Sequence, residues 1–268
     1  MSRPVHPFAS RTRLVFAHRG GAKLAPENTM TAFARGMSLG SDGIECDVHL
    51  SRDGVPVVIH DATLDRTTNA TGAVGMRTAD ELARVDAGFA FAADGAHPFR
   101  GQDIGVPALE QVLRRFPEAR VIIEMKDGSP VLARAVIDVV RKTDAVERAC
   151  VGSFYQLGLD IIRAEAPAMA TSASESEARW TLYRSWFGWP LARQRPYCAF
   201  QVPQTAGRLR VITPAFLRQA HQNGARVDVW VVDQPDDVTR LFDMGVDGVI
   251  SDRPDLAAPT CRRWVAEH

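Results

Sequence analysis

Residues 43–50 read GIECDVHL. In an extended chain Ile44, Cys46 and Val48 share one face, and Glu45 and Asp47 project from the other. Two carboxylates roughly 5 Å apart in an interior repel by ~3 kcal/mol at an effective dielectric near 20, so a buried acidic face needs a neutraliser. The run VIIEMK (121–126) repeats the pattern, with Glu124 and Lys126 on a common face. Three converging carboxylates form an all-oxygen ligand set for one hard divalent metal ion, Mg2+ or Ca2+ with Mn2+ as a further candidate. Arg19 and Lys126 supply positive charge suited to an anionic phosphate. His18 and His60 are the groups able to exchange protons near neutral pH. Metal, two cations and two histidines together point to phosphodiester hydrolysis.

Each of these residues has a plainer reading taken singly. Asp and Glu are mostly surface residues, and a lone His18 would be structural. The repetition of the acidic face at Glu124, and the pairing of His18 with Arg19 and His60, favour chemistry over a solvated strand face. Glu27 and Asn28 read as helix-capping residues, and Asp252 as a turn residue. Cys46, between two proposed ligands, should face away from the metal. Asp228 should point inward with no evident partner. His6, His49, His97, His221 and His268 have no partner pattern.

The elements that must position these groups alternate in type. Eight apolar runs are strand candidates: 14–18, 44–48, 121–125, 150–154, 168–173, 198–202, 227–232 and 248–251. Each is followed by a segment of helical period, several opening with Pro, Ser or Asp and several closing at Gly. Eight βα units in about 250 residues predict a TIM (β/α)8 barrel, whose active site lies at the C-terminal strand ends. Those ends add Gln201 and Trp230 to the residues above. HRGGAK lacks the spacing of a dinucleotide fingerprint. Residues 61–107 break the rhythm and predict a small inserted cap after the second strand, within a single domain spanning 1–268.

The chain has 268 residues, 46% hydrophobic and 24% charged, with 32 basic and 32 acidic side chains. That balance gives no electrostatic case for nucleic acid. No apolar run approaches a membrane span, and MSRPVHPFASRTRLVF lacks the apolar core of a signal peptide, so a cytoplasmic protein is expected. The four cysteines are scattered and read as free thiols. Residues 178–200 hold three of the five tryptophans among arginines. This stretch reads either as a barrel helix packing Leu182, Trp186 and Trp189 inside, or as a peripheral membrane contact.

The sequence resembles the glycerophosphodiester phosphodiesterase family over nearly its whole length. The resemblance is carried by HRGG (18–21), PENT (26–29), IECDVHLSRDGVPVVIHD (44–61), LDRTT (64–68), the TADEL…DAG run (78–88), PALEQVL (107–113), EMK (124–126), VWVV (229–232) and DGVISDRP (247–254). It implies a TIM barrel with an insertion, Glu45, Asp47 and Glu124 as metal ligands, and His18 and His60 as the acid–base pair. It also implies that Arg19 and Lys126 hold the phosphate and that Trp230 lines the glycerol side. The implied reaction cleaves a small-molecule glycerophosphodiester to glycerol 3-phosphate and an alcohol. The alternative is lysophospholipase D action at a membrane surface, with Gln201 on the alcohol side. A barrel that binds such diesters without turnover would need neither histidine.

Overall fold

The computed structural model describes residues 6–189 and 195–268. The first strands are β1 (Leu14–His18), β2 (Gly43–Leu50), β3 (Pro56–Val58) and β4 (Arg120–Met125). They are followed by β5 (Ala149–Gly152), β6 (Ala170–Thr171), β7 (Ala199–Pro203), β8 (Thr205–Ala206), β9 (Leu209–Arg210), β10 (Arg226–Trp230) and β11 (Gly248–Ser251). Eight of these run parallel, in the order β6-β5-β4-β2-β1-β11-β10-β7. A single parallel bridge, Ser172 to Ala199, joins the two ends, with Cys198 N donating to Thr171 O (3.0 Å) and Ala173 N to Ala199 O (2.8 Å). The result is the expected (β/α)8 barrel, closed by a thin seam. Two antiparallel additions were not legible in the strand pattern: β3 folds back on β2, and β8 pairs with β9 in a small hairpin.

The helices follow the apolar periods. They are α1 (Met30–Ser38), α2 (Ala79–Leu82), α3 (Leu109–Arg115), α4 (Pro130–Lys142), α5 (Gln156–Glu165), α6 (Glu175–Trp186), α7 (Pro214–Gln222), α8 (Pro235–Met244) and α9 (Pro254–Glu267). In α4, Leu132, Ala133, Val136, Ile137 and Val140 are buried at the spacing of one helical face. Ser129 caps that helix by accepting from Leu132 N, and Pro130 occupies the first turn, where its missing N–H costs nothing. Ile44, Cys46 and Val48 pack in the same layer against these helices, so Cys46 does face away from the acidic side. Each buried Val, Leu or Ile among them stabilises the fold by about 1.5–3 kcal/mol.

The N-terminal end of the barrel is filled by Phe8, stacked on Phe16 at 6.0 Å, above a fully buried ion pair. Here Asp228 finds its partner: Arg226, two residues earlier on the same strand face, donates from Nη2 to Asp228 Oδ1 at 2.7 Å. A Cβ at Gly248 would overlap the Asp228 carboxylate, which explains the glycine. Residues 61–107 contain one short 3-10 turn and α2, and build their own apolar cluster. Leu64, Val74, Leu82, Ile104 and Val106 pack on Val57 and Ile59 from the β3 segment.

Of the stretch 178–200, residues 178–186 belong to α6 and 199–200 to β7, and residues 190–194 lie outside the described residues. Leu182 is buried as expected, but Trp186 and Trp189 are 49% and 56% exposed. The expectation that both tryptophans pack inside is therefore overturned: the inner face of α6 is made by Thr181, Leu182 and Ser185.

Candidate active site

Strand register assembles the acidic centre. In the parallel ladders His18 stands opposite Glu45, and Asp47 opposite Glu124. One carboxylate oxygen from each of Glu45, Asp47 and Glu124 lies within 4.8 Å of the others. Glu45 and Asp47 are buried, and Glu124 is partly so. Lys126 Nζ lies 3.3 Å from Asp47 Oδ1 and 3.1 Å from Glu124 Oε1. Arg19 Nε lies 3.1 Å from Asp47 Oδ2 as an ion pair without an aligned hydrogen bond. Glu45 has no Lys or Arg side chain bonded to it among the described residues; it accepts from the Arg19 backbone N at 3.0 Å. Burial, then the charge of Asp47, pushes the Glu45 carboxyl up to about 8. Burial and Asp47 also raise Glu124. Asp47 is held low despite its burial, by Lys126 and Arg19. Three oxygen donors, one of them a buried acid that no Lys or Arg side chain among the described residues bonds, fit a hard divalent cation.

The two histidines approach this centre with the same support. His18 Nδ1 lies 2.6 Å from Asp252 Oδ1, and His60 Nδ1 lies 2.6 Å from Asp61 Oδ1. With Nδ1–H donated to a carboxylate, Nε2 carries no proton in the neutral form of each ring. His18 Nε2 stands 3.9 Å from Glu45 Oε2. Burial opposes the charging of His18, but Asp252 and Glu45 together lift its pKa above the usual value. Asp252 is thus not only a turn residue. Its own backbone N and the Ser251 hydroxyl donate to Asp233 Oδ1, whose other oxygen accepts from Lys23 at 2.7 Å. Asp61 was not singled out by its spacing, although its place directly after His60 was the available signal.

The loop after β1 is shaped to bring Arg19 inward. Arg19 and Asn28 both adopt left-handed backbone (φ 51° and 59°), and a Cβ on Gly20 would clash with Ala32 of α1. Glu27 and Asn28 do not cap α1; Thr29 does, accepting from Ala32 N at 3.1 Å. Instead Asn28 Nδ2 donates to Asp47 Oδ2 at 2.8 Å and its Oδ1 accepts from Asp47 N. Glu27 accepts from Arg19 Nη1 at 3.0 Å and from Arg66. Neighbouring chain positions therefore take different work: the threonine satisfies the helix, and the two residues before it orient the acidic centre.

A pocket of about 270 Å³ opens above these groups and extends across the barrel mouth. His18, Arg19, Glu45, His60, Glu124 and Lys126 line one side. Ser172, Ser174, Gln201, Phe154 and Trp230 line the other, with Phe154 and Trp230 edge-to-face at 6.4 Å. Gln201 Oε1 and Ser172 Oγ reach over Gly152, where a Cβ would meet them at 2.9 and 3.0 Å. Of the sequence-derived site residues only Asp47 does not line the pocket; it lies beneath, bonded to Asn28, Arg19 and Lys126.

Comparison with known proteins agrees with this geometry. Residues 18–256 match the glycerophosphoryl diester phosphodiesterase family. A glycerophosphodiester phosphodiesterase of Caldanaerobacter subterraneus subsp. tengcongensis is 34% identical over 93% of this chain and 98% of its own. The crystal structure of a glycerophosphodiester phosphodiesterase from Agrobacterium tumefaciens superposes with a TM-score of 0.75 at 30% identity, covering 92% of this chain and all of that one. An Oleispira antarctica phosphodiesterase, solved with its product sn-glycerol-3-phosphate, shares the fold (TM-score 0.75, 23% identity, 93% and 96% covered). The chain is a phosphoric diester hydrolase and belongs to the glycerophosphoryl diester phosphodiesterase family.

Proposed function

We propose that the protein hydrolyses small glycerophosphodiesters to glycerol 3-phosphate and an alcohol, using His18 and His60 as proton carriers beside a divalent cation. The observation that carries this reading is the carboxylate centre flanked by two histidines, each braced at Nδ1 by an aspartate. Glu45, Asp47 and Glu124 would hold the ion, Mg2+, Ca2+ or Mn2+, which when bound supplies Lewis-acid polarisation of a phosphoryl oxygen. Arg19 and Lys126 draw the phosphate into the mouth and offset its charge. One Nε2 accepts the proton of the attacking hydroxyl, and the other delivers a proton to the departing oxygen. Trp230 offers an apolar wall to the glycerol, and Gln201 an amide to the alcohol beyond the phosphate. Residues 61–107 are read as a cap within one domain, supported by their packing on Val57 and Ile59. The free state of Cys46, Cys150, Cys198 and Cys261 supports work in the cytoplasm.

The test is release of glycerol 3-phosphate from glycerophosphocholine and glycerophosphoethanolamine by metal-stripped protein across a metal panel. Turnover restored by Mg2+, Ca2+ or Mn2+ is expected. Full activity of the Glu45→Ala or His60→Ala protein would sink the reading.

A second reading, lysophospholipase D action at a membrane surface, is favoured by the exposed Trp180, Trp186 and Trp189. The direction of α6 weighs against it. The helix starts at Glu175 on the pocket rim and runs 12 residues, about 18 Å, away from the mouth. A membrane held by Trp186 and Trp189 would lie far from the entrance. Among the described residues no helix is long and apolar enough to cross a membrane.

A further inference from the structure

We propose that Arg66, supplied by the inserted segment, is a positioning residue that acts on His60 and Arg19 at once. The proposal rests on the roles given to those two residues above. Its guanidinium is shared between two carboxylates. Nε donates to Asp61 Oδ2 at 2.6 Å and Nη2 to Asp61 Oδ1 at 3.1 Å. Nη1 donates to Glu27 Oε2 at 2.9 Å and Nη2 to Glu27 Oε1 at 2.8 Å. The oxygen of Asp61 that meets Nη2 is also the one that meets His60 Nδ1. The oxygen of Glu27 that meets Nη2 is also the one that meets Arg19 Nη1. One planar cation therefore fixes the two acids that fix a proton carrier and a phosphate-binding arginine.

Most exposed ion pairs hold little, because two long side chains must be ordered in water. Arg66 differs in three respects. Both of its partners are bound through two oxygens each, the arrangement in which guanidinium is strongest and most directional. Its backbone is pinned, since Leu64 is buried in the cap cluster, Thr68 donates to Leu64 O, and Asp65 accepts from Gly72 N. And the cap does not need Arg66 for attachment, because the apolar packing on Val57 and Ile59 already holds it. Without the guanidinium, Glu27 and Asp61 face each other as like charges. Asp61 then loses the partner that sets its rotamer, and Glu27 competes with Asp47 for Arg19.

The test compares Arg66→Ala, Arg66→Lys, Asp61→Asn and Glu27→Gln as metal-loaded enzymes, at a temperature where circular dichroism shows each fully folded. Asp61→Asn is expected to lower kcat, Glu27→Gln to raise KM, and Arg66→Ala to do both, with kcat falling about 10- to 100-fold. Arg66→Lys should recover little, because an ammonium cannot span both carboxylates. Free guanidinium at low millimolar concentration should restore part of the kcat of Arg66→Ala. Folded Arg66→Ala protein within twofold of wild type in kcat and KM would overturn the proposal. So would a deficit that Lys repairs fully, since a point charge alone would then suffice. If wild type releases no glycerol 3-phosphate, the proposed function fails; if wild type works and His60→Ala does not, an unaffected Arg66→Ala defeats this proposal alone.

Discussion

Asp252 and His18 lie 234 positions apart in the chain, yet Asp252 Oδ1 sits 2.6 Å from His18 Nδ1. The pairing of β1 with β11 brings them together, aligning Ala17 with Ser251 one residue below. The bond selects the tautomer whose neutral ring has no proton on Nε2, 3.9 Å from Glu45 Oε2. Asp252→Ala is expected to lower kcat about 10- to 100-fold with the fold retained, and Asp252→Asn to stay impaired because an amide does not stabilise the charged ring. Steady-state kinetics with saturating metal checks this; unchanged kcat in both variants would remove Asp252 from the site.

Removing the cation has a distinct signature. Chelation should abolish turnover, and calorimetric titration of metal into the chelated protein should show a single site. Glu124→Gln should weaken that site, while His18→Ala should keep it and still lose about 10²–10⁴-fold in kcat. Equal loss of metal affinity in both variants would contradict the division of roles.

Acid stability should depend on the pair at Arg66. Its hydrogen bonds hold the Asp61 carboxyl well below the usual range, helped by His60. Glu27 is also held low, since Arg66 and Arg19 outweigh its burial. A carboxyl whose folded pKa is depressed adds stability that is present above its unfolded pKa, near 4, and disappears as pH falls through the folded one. Arg66→Gln should therefore lose most stability relative to wild type near pH 7, and the gap should close below about pH 4. Urea unfolding at pH 7 and pH 3 measures it; a gap that widens in acid would reverse the sign.

The buried pair beneath the site should be structural. Arg226 and Asp228 are both fully buried, so Asp228→Ala strands a guanidinium in the barrel and is expected to destabilise by about 3–5 kcal/mol. Denaturant titration tests this. A stable Asp228→Ala protein would mean that water reaches the barrel floor.

The aromatic residues on and after α6 give a last test. If the mouth works on soluble diesters, then Trp186→Ser with Trp189→Ser should leave glycerophosphocholine turnover intact. Liposome flotation of wild type then decides the membrane reading: protein that floats, and releases choline from lysophosphatidylcholine faster than from glycerophosphocholine, would favour it.

Much of the site was legible in GIECDVHL alone. A strand alternates faces with a period of two, so the pattern had to set Glu45 and Asp47 against Ile44, Cys46 and Val48, and the βα rhythm made the acidic face an interior one. The repeat in VIIEMK named Glu124 and Lys126 for the same reason. What the sequence could not determine were contacts between distant segments. Register alone put Asp47 beside Glu124 and His18 beside Glu45. PENT read as capping chemistry because Asn and Glu serve helix starts locally; only the left-handed turn at Asn28 sends it to Asp47 instead. Asp252 took its meaning from His18 Nδ1, Asp61 from His60 Nδ1, and Arg66 from the carboxylate oxygens of Asp61 and Glu27. Local periodicity encodes the face a side chain occupies, whereas its partner across the barrel depends on closure of the whole ring.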